Sequence, residues 1–268
     1  MDPLLAQGVA LITGSGSGIG QQIAVKLASN GCKKLFLADI SATGFDATTA
    51  AVKEVASDAE VAIFVSDISD EQSVIAMIDE CVRQFGRIDF ACNNAGMIAG
   101  AALTHEMAID SFERLINVNT IGTLLCQKYE VKVMLQQEPL SVSGVKYAPR
   151  GSIVNTASMA GLSTMSGIAA YTATKHGVIS MTRVDARQYA EQGVRINSIC
   201  PGFVDTPMLR GEMPDEWVKA SARNAPMNRL IDPAEVANGV VFLSGSLATA
   251  VTGISLPVDG GALLYHIV

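Results

Sequence analysis

Tyr171-Thr172-Ala173-Thr174-Lys175 sets a phenol and an ammonium four positions apart, and Ser158 precedes the tyrosine by thirteen. If a helix begins near Tyr171, that offset puts both side chains on one side, a turn apart. A free phenol has a pKa of about 10, so at neutral pH it is almost never the phenolate that a base must be. Lowering it by roughly 2 to 3 units means favouring the charged form by about 3 to 4 kcal/mol, which a fixed cation in a poorly hydrated site can supply. Lys175 is the candidate cation. Ser158, just past the run Ile153-Val154-Asn155-Thr156, would hold the same substrate oxygen through its hydroxyl. The chemistry implied is proton transfer at an oxygen. Alone the pattern is weak, because a Tyr and a Lys four apart occur on many solvated helices.

The other end of the chain strengthens it. Val9-Ala10-Leu11-Ile12 runs into Thr13-Gly14-Ser15-Gly16-Ser17-Gly18-Ile19-Gly20, which reads as strand, glycine turn and helix. Such a turn can hold a pyrophosphate: Gly14 permits the tight turn, Gly18 lets backbone N–H groups approach the phosphates, and Gly20 lets the helix pack close on the sheet. Three residues separate the first glycine from Gly18-Ile19-Gly20, which differs from the standard dinucleotide fingerprint. With Tyr-x-x-x-Lys downstream, the chain resembles the short-chain dehydrogenase/reductase family over nearly its whole length.

Helix and strand signals alternate throughout, predicting a single-domain, α/β, Rossmann-type doubly wound parallel sheet of about seven strands over residues 1–268, with helices on both faces. The second strand, Leu35 to Asp39, ends about 20 positions past the glycine turn, where a carboxylate can accept hydrogen bonds from adenosine ribose hydroxyls. A 2'-phosphate would meet Asp39 as a like charge. Ile40 follows it and Ser15 and Ser17 fill the turn, so NAD is favoured over NADP. The third strand leads to Asp67-Ile68, and Ser69-x-x-Gln72 offers the next helix a capping box. The fourth, Phe90 to Cys92, enters Asn93-Asn94-Ala95-Gly96. A long helix is expected from Asp110 to Val133, and the segment 136–150 is a polar loop with two prolines and no assigned role.

Residue by residue, the resemblance implies a cofactor cradle of Gly14, Ser17, Gly18 and Ile19 at the phosphates, and Asp39 and Ile40 at the adenosine ribose. It places Asp67 and Ile68 at the adenine, and Asn94, Ala95, Gly96, Tyr171 and Lys175 near the nicotinamide ribose. Pro201, Gly202, Val204 and Thr206 fall near the carboxamide. It also implies that Asn119, rather than the more conspicuous Asn117, holds a water linking Lys175 to solvent, and that a lid at about 205–227 closes over substrate. Catalysis is thereby assigned to Asn119, Ser158, Tyr171 and Lys175. Met97, Met159, Met208, Met213 and Trp217, with Ile98 and Leu162, are candidates for an adaptable apolar substrate pocket.

A formal charge of −7 and a pI near 5.0 argue against a nucleic-acid partner, which needs a basic face. The first apolar run is broken by Gly14, far short of membrane-spanning length, and the N-terminal residues lack a signal-peptide basic region, so a soluble cytoplasmic protein without membrane contact is expected. Five scattered cysteines without a C-x-x-C, and three isolated histidines, suggest neither a disulfide frame nor a metal site. The expectation is an NAD-dependent enzyme interconverting a secondary alcohol and a ketone, on a bulky hydrophobic substrate such as a terpenoid, steroid or polyketide-like compound of secondary metabolism. An NADPH-dependent ketoreductase and a non-catalytic dinucleotide sensor or scaffold are the rivals. The resemblance further implies a homodimer or homotetramer joined through the Asp110–Val133 and Tyr171–Gln192 helices.

Overall fold

The computed structural model describes residues 2, 4–142, 144–212, 214–223 and 225–265. Its strands are β1 (Val9–Thr13), β2 (Lys34–Asp39), β3 (Glu60–Val65), β4 (Phe90–Asn93), β5 (Gly151–Thr156), β6 (Val194–Pro201) and β7 (Ser255–Val258). They form one seven-stranded sheet, all pairs parallel, in the order β3-β2-β1-β4-β5-β6-β7. Every residue of β1 and β6 is buried. A parallel strand covered by helices on both faces reads as this kind of continuous apolar run.

Successive residues of the inner strands feed two separate cores. Ile12 and Leu37 pack with Ile23 and Leu27 of α1 (Gly18–Ser29) and Val236 and Val240 of the C-terminal helix Pro233–Ser244. Leu11 and Phe36 pack on the other side with Met77 and Ile78 of the helix Glu71–Phe85 and Val131 and Met134 of the helix Thr123–Met134. The remaining helices are α2 (Phe45–Val55), α4 (Ile109–Leu115), α6 (Ala169–Tyr189), α7 (Pro207–Glu212) and α8 (Asp215–Arg223); Glu71–Phe85, Thr123–Met134 and Pro233–Ser244 are α3, α5 and α9.

Two local expectations change. The long helix runs from Ile109 to Met134, but Ile116–Gly122 between α4 and α5 is a π-helical segment, a feature frequent at functional sites. The Ser69/Gln72 capping box does not form. Asp70 caps α3 instead, accepting hydrogen bonds from the Gln72 and Ser73 N–H groups, because Ser69 is turned back onto Asp67. The 136–150 segment, for which the sequence suggests no role, underpins the N-terminal edge of the sheet. Leu140 and Val142 bury into the α1/α9 core, and Gln137 Nε2 donates to the carbonyls of Ile88 and Arg150.

Strand order reverses between β1 and β4, so the turns leaving these strands diverge to opposite faces and open a crevice at their C-terminal ends. Gly20 sets how closely α1 seats there: a Cβ on it would lie 1.9 Å from the Gly14 carbonyl oxygen. Gly20→Ala is therefore expected to cost about 1–3 kcal/mol through forced displacement. Gly100→Ala, where an added Cβ meets nothing within 4 Å, should stay within about 0.5 kcal/mol of the native protein. Urea denaturation of both variants measures the difference, and an equal effect at the two positions would refute the close-approach explanation.

Candidate active site

The proton-handling residues are delivered by the end of β5 and the start of α6. Ser158 lies two residues past β5 in extended conformation, and its Oγ accepts the Ala160 N–H to start the short 3-10 turn Met159–Gly161. Helix α6 starts at Ala169, so Tyr171 falls in its first turn and Lys175 one turn later. The two side chains share a side: Lys175 Nζ is 5.6 Å from the centroid of the Tyr171 ring. The ammonium is 4% exposed and donates to the Thr156 carbonyl oxygen at 2.9 Å. Across from them, a Cβ placed on Gly96 would lie 3.1 Å from Asn119 Oδ1 and 3.5 Å from Lys175 Nζ. A side chain there would press on the Asn119 amide.

Asn119 is fully buried on the π-helical segment, whereas Asn117 is exposed. Its amide clasps the backbone of Met97, accepting the Met97 N–H at 2.8 Å and donating to the Met97 carbonyl at 2.8 Å, with a longer bond to Thr174. The residue thus ties the Asn93–Gly96 turn to α6.

Burial dominates the electrostatics. It lowers the Lys175 pKa to about 8. It raises that of the Tyr171 phenol, with the Ser158 hydroxyl acting in the opposite direction and the Cys200 thiol adding to the rise. The expected depression of the phenol by the neighbouring ammonium is therefore not a property of the chain by itself: desolvation of the phenolate is the largest influence on it.

At the opposite end of the crevice, Gly14 and Gly18 adopt positive φ values of 65° and 55°, a conformation that costs any other L-residue. Asp39 closes β2 and faces this turn, its Oδ2 accepting the Gly16 N–H at 3.0 Å and its Oδ1 the Ser41 N–H at 3.1 Å. Asp67 accepts from both the N–H and the hydroxyl of Ser69. Thr13 Oγ1 accepts the N–H groups of Asn94 and Ala95, each at 3.1 Å, and Asn94 Nδ2 donates to the carbonyls of Thr13 and Gly14. Nothing in the sequence marks Thr13, which reads as one more strand residue.

One cleft of about 470 Å³ joins both ends. Ser158, Tyr171 and Lys175 line it, as does each residue expected at the cofactor, from Gly14, Ser17, Gly18 and Ile19 through Asp39, Ile40, Asp67 and Ile68 to Asn94, Ala95, Gly96, Pro201, Gly202, Val204 and Thr206. Met97, Ile98, Met159, Met208 and Trp217 line it too. Met213 lies outside the described residues. Leu162 packs instead on the Val178–Ile179 cluster. The sequence reading missed Phe203, Met165, Ile168 and Arg114, which also line the cleft. Phe203 meets Trp217 edge to face, with centroids 5.4 Å apart and planes at 82°. Its place directly after Pro201-Gly202 was the available signal.

The donor set fits a nicotinamide dinucleotide: a glycine turn at a helix start, a carboxylate at the end of the second strand and an ammonium deep in the cleft. Phenol, ammonium and serine hydroxyl at the C-terminal mouth of a doubly wound sheet define an oxidoreductase of the dinucleotide-binding α/β class. A family model described as enoyl-(acyl carrier protein) reductase matches residues 14–263. Levodione reductase of Leifsonia aquatica is 38% identical over 260 residues, covering 94% of this chain and 93% of that protein. A crystal structure of levodione reductase superposes with a TM-score of 0.86 at 37% identity, covering 95% of this chain and 96% of that one. Cyclohexanol dehydrogenase of Acinetobacter sp. (strain SE19) is 37% identical over 253 residues, 94% of this chain and 93% of that protein. A crystal structure of NAD+-bound xylitol dehydrogenase gives a TM-score of 0.83 at 30% identity, covering 95% and 98% of the two chains. The chain belongs to the short-chain dehydrogenase/reductase family.

Lys175 makes the stability of the ligand-free protein pH-dependent. Its folded pKa, about 8, lies below the ordinary lysine value of 10.5, so between those values the unfolded chain binds the extra proton and stability rises with pH. Below about pH 8 the folded protein carries the buried charge at a cost on the order of 3 kcal/mol. Relative to Lys175→Met, the native protein should therefore gain stability as pH climbs from about 8 to about 10. Parallel denaturant titrations of the two proteins measure this, and a constant difference across the window would show that the ammonium is not desolvated.

Proposed function

We propose that the protein is an NAD-dependent oxidoreductase interconverting a secondary alcohol and a ketone on a bulky, hydrophobic, ring-containing substrate. One domain carries the reaction, with a lid at about 205–227. The observation that carries this reading is the convergence of Ser158, Tyr171 and Lys175 on a cleft whose far end presents Asp39. In that reading Gly14, Ser17, Gly18 and Ile19 hold the pyrophosphate, Asp39 and Ile40 the adenosine ribose, and Asp67 and Ile68 the adenine. Asn94, Ala95, Gly96, Tyr171 and Lys175 take the nicotinamide ribose, and Pro201, Gly202, Val204 and Thr206 the carboxamide. When bound, the nicotinamide supplies the hydride acceptor or donor and, oxidised, a positive charge.

In the oxidising direction Tyr171 takes the substrate hydroxyl proton, and in the reducing direction it returns one. Ser158 holds the same oxygen throughout. Because burial raises the phenol pKa in the chain alone, the phenolate depends on two positive charges together, that of Lys175 and that of the oxidised cofactor. Asn119 holds a water that passes the proton from Lys175 to solvent. Most of the acceleration comes from positioning and from charge stabilisation at the oxygen.

Asp39 supports NAD: each carboxylate oxygen already accepts one backbone N–H and keeps a lone pair for a ribose hydroxyl, whereas a 2'-phosphate would meet it as a like charge. The NAD+-bound relative is consistent with this. Support for an apolar ring comes from the Phe203–Trp217 pair, from Met97, Met159 and Met208 around the cleft, and from the relative named for cyclohexanol. Ile121 and Leu124 on the 116–134 stretch and Val184 on α6 are exposed apolar side chains, which supports a homodimer or homotetramer through these helices. Five unpaired, buried thiols suit a cytoplasmic setting.

Tyr171→Phe is expected to bind NADH as the native protein does and to lose about 10²–10⁴-fold or more in turnover; near-native turnover would refute the assignment. Asp39→Ala should shift the NADH-over-NADPH preference toward NADPH by about tenfold, roughly 1.4 kcal/mol, read from the two dissociation constants. A native protein preferring NADPH would instead be the ketoreductase. Reduced-cofactor formation with cyclic secondary alcohols, and little with xylitol, is the expected substrate profile. Turnover of xylitol alone would overturn the apolar ring, and none across a broad panel of alcohols and ketones would favour the sensor or scaffold.

A further inference from the structure

Glu130 of α5 is fully buried against the sheet. Thiols face it from three elements, Cys126 on α5, Cys92 on β4 and Cys81 on α3, and its charge in turn raises their pKa values. Among the described residues no cation pairs with it. Among the described residues the one hydrogen bond to its carboxyl group comes from Asn93, whose Nδ2 donates to Glu130 Oε2 at 2.9 Å and to Asn155 Oδ1 at 3.0 Å. Two buried oxygens of this pair are left without partners: Asn93 Oδ1 and Glu130 Oε1.

Two unpartnered acceptors on residues already joined by an N–H···O bond lack one thing, a proton. As a carboxylate, Glu130 would be an acceptor only and an unpaired charge in an apolar layer. As an acid, it gains a hydroxyl donor of the kind that Asn93 Oδ1 lacks. Desolvation accordingly raises the pKa of Glu130 to about 8.

Asn93 leads directly into the turn at the centre of the cleft. Asn94 bonds the carbonyls of Thr13 and Gly14 at the glycine turn, Thr156 donates to Asn94 Oδ1, and Gly96 abuts Asn119 and Lys175. A rotation of the Asn93 amide would be felt along that turn. We propose that Glu130 works as a neutral carboxylic acid locked to Asn93, a positioning residue that holds the Asn93–Gly96 turn in register for the dinucleotide; this rests on the cofactor role proposed for the cleft. Ionisation of Glu130 releases the lock and weakens dinucleotide binding.

The test is NADH binding by fluorescence across about pH 6.5 to 9.5 for the native protein, Glu130→Gln and Glu130→Leu, with infrared difference spectra of the native protein against Glu130→Gln. The Gln variant keeps a donor in place of the acid proton, so it should bind like the native protein near pH 7. The ratio of native Kd to Gln-variant Kd should then rise at least about fivefold toward pH 9.5. Lys175 titrates in both proteins and cancels in that ratio. The Leu variant, lacking the donor, should bind at least about fivefold more weakly at neutral pH while melting as the native protein does. If it fails to fold, the native-to-Gln ratio decides. The infrared difference should contain a protonated-carboxyl stretch that fades as pH rises through about 8. A flat ratio, a Leu variant that binds like native, or a carboxylate already present at neutral pH would each overturn the proposal. If no variant binds NADH or NADPH at any pH, the cofactor reading fails and the positioning role with it, and the infrared band still reports the proton on Glu130.

Discussion

An ammonium held out of water with a main-chain carbonyl as its hydrogen-bond partner is the constraint on which the rest of the site depends. Lys175 reaches the Thr156 carbonyl because α6 starts where β5 ends, and desolvation, not a counter-charge, sets its proton affinity. A carboxylate beside it would remove the cost and also the field, since a paired cation has little left to offer a neighbouring phenolate. The chain carries this charge as a local instability in the ligand-free state, as proteins do where fixed charges must act without reorganising. Tyr171 is desolvated in the same way, and burial favours its neutral phenol.

Geometry does the rest through one topological fact. In an all-parallel sheet every strand ends on the same edge, and the reversal between β1 and β4 splits the chain leaving that edge to two faces. The glycine turn after β1, Asp39 at the end of β2, the Asn94–Gly96 turn after β4 and Ser158 after β5 are far apart in sequence and close in space for this reason alone. Hydrogen bonds then lock neighbouring ends together, Thr13 to Asn94 and Ala95, Thr156 to Asn94, and Asn119 to Met97. Displacing one strand end moves its neighbours.

These contacts explain what was legible in the sequence. Close backbone approach demands glycine, a fixed pair on one helical face demands an offset of four, and a buried parallel strand demands an unbroken apolar run, so the glycine turn, Tyr171–Lys175 and the strands could be read directly. Interactions with long-range partners could not. Thr13 looks like a strand residue, Phe203 like a loop aromatic, and Ser69 like a helix cap until Asp67 claims it and Asp70 takes its place. Glu130 is the clearest case. Lying between Lys128 and Lys132, it reads as one more charge on a solvated helical face, yet the fold turns it inward against Asn93. Asn119 stands out by pattern, and the structure adds a second reason for its place, the clasp on the Met97 backbone.

Beside the apolar part of the cleft, the proposed lid follows a different physics. Helices α7 and α8 have 6 and 9 residues, lengths at which an isolated helix is not stable in water, so their order comes from contacts with the body. Among the described residues those contacts include buried Val218 and Ser221 and the edge of Trp217 on Phe203, while Met208 stays 47% exposed. In the proposed function, closure over a ligand would draw on the ligand's own apolar surface, at about 25 cal/mol for each Å² removed from water. A polyol offers little such area and leaves hydroxyls to be desolvated against methionine and tryptophan, whereas a hydrocarbon ring supplies the missing wall of the pocket. On the proposed reading, selectivity for a ring would arise from a lid that the substrate completes.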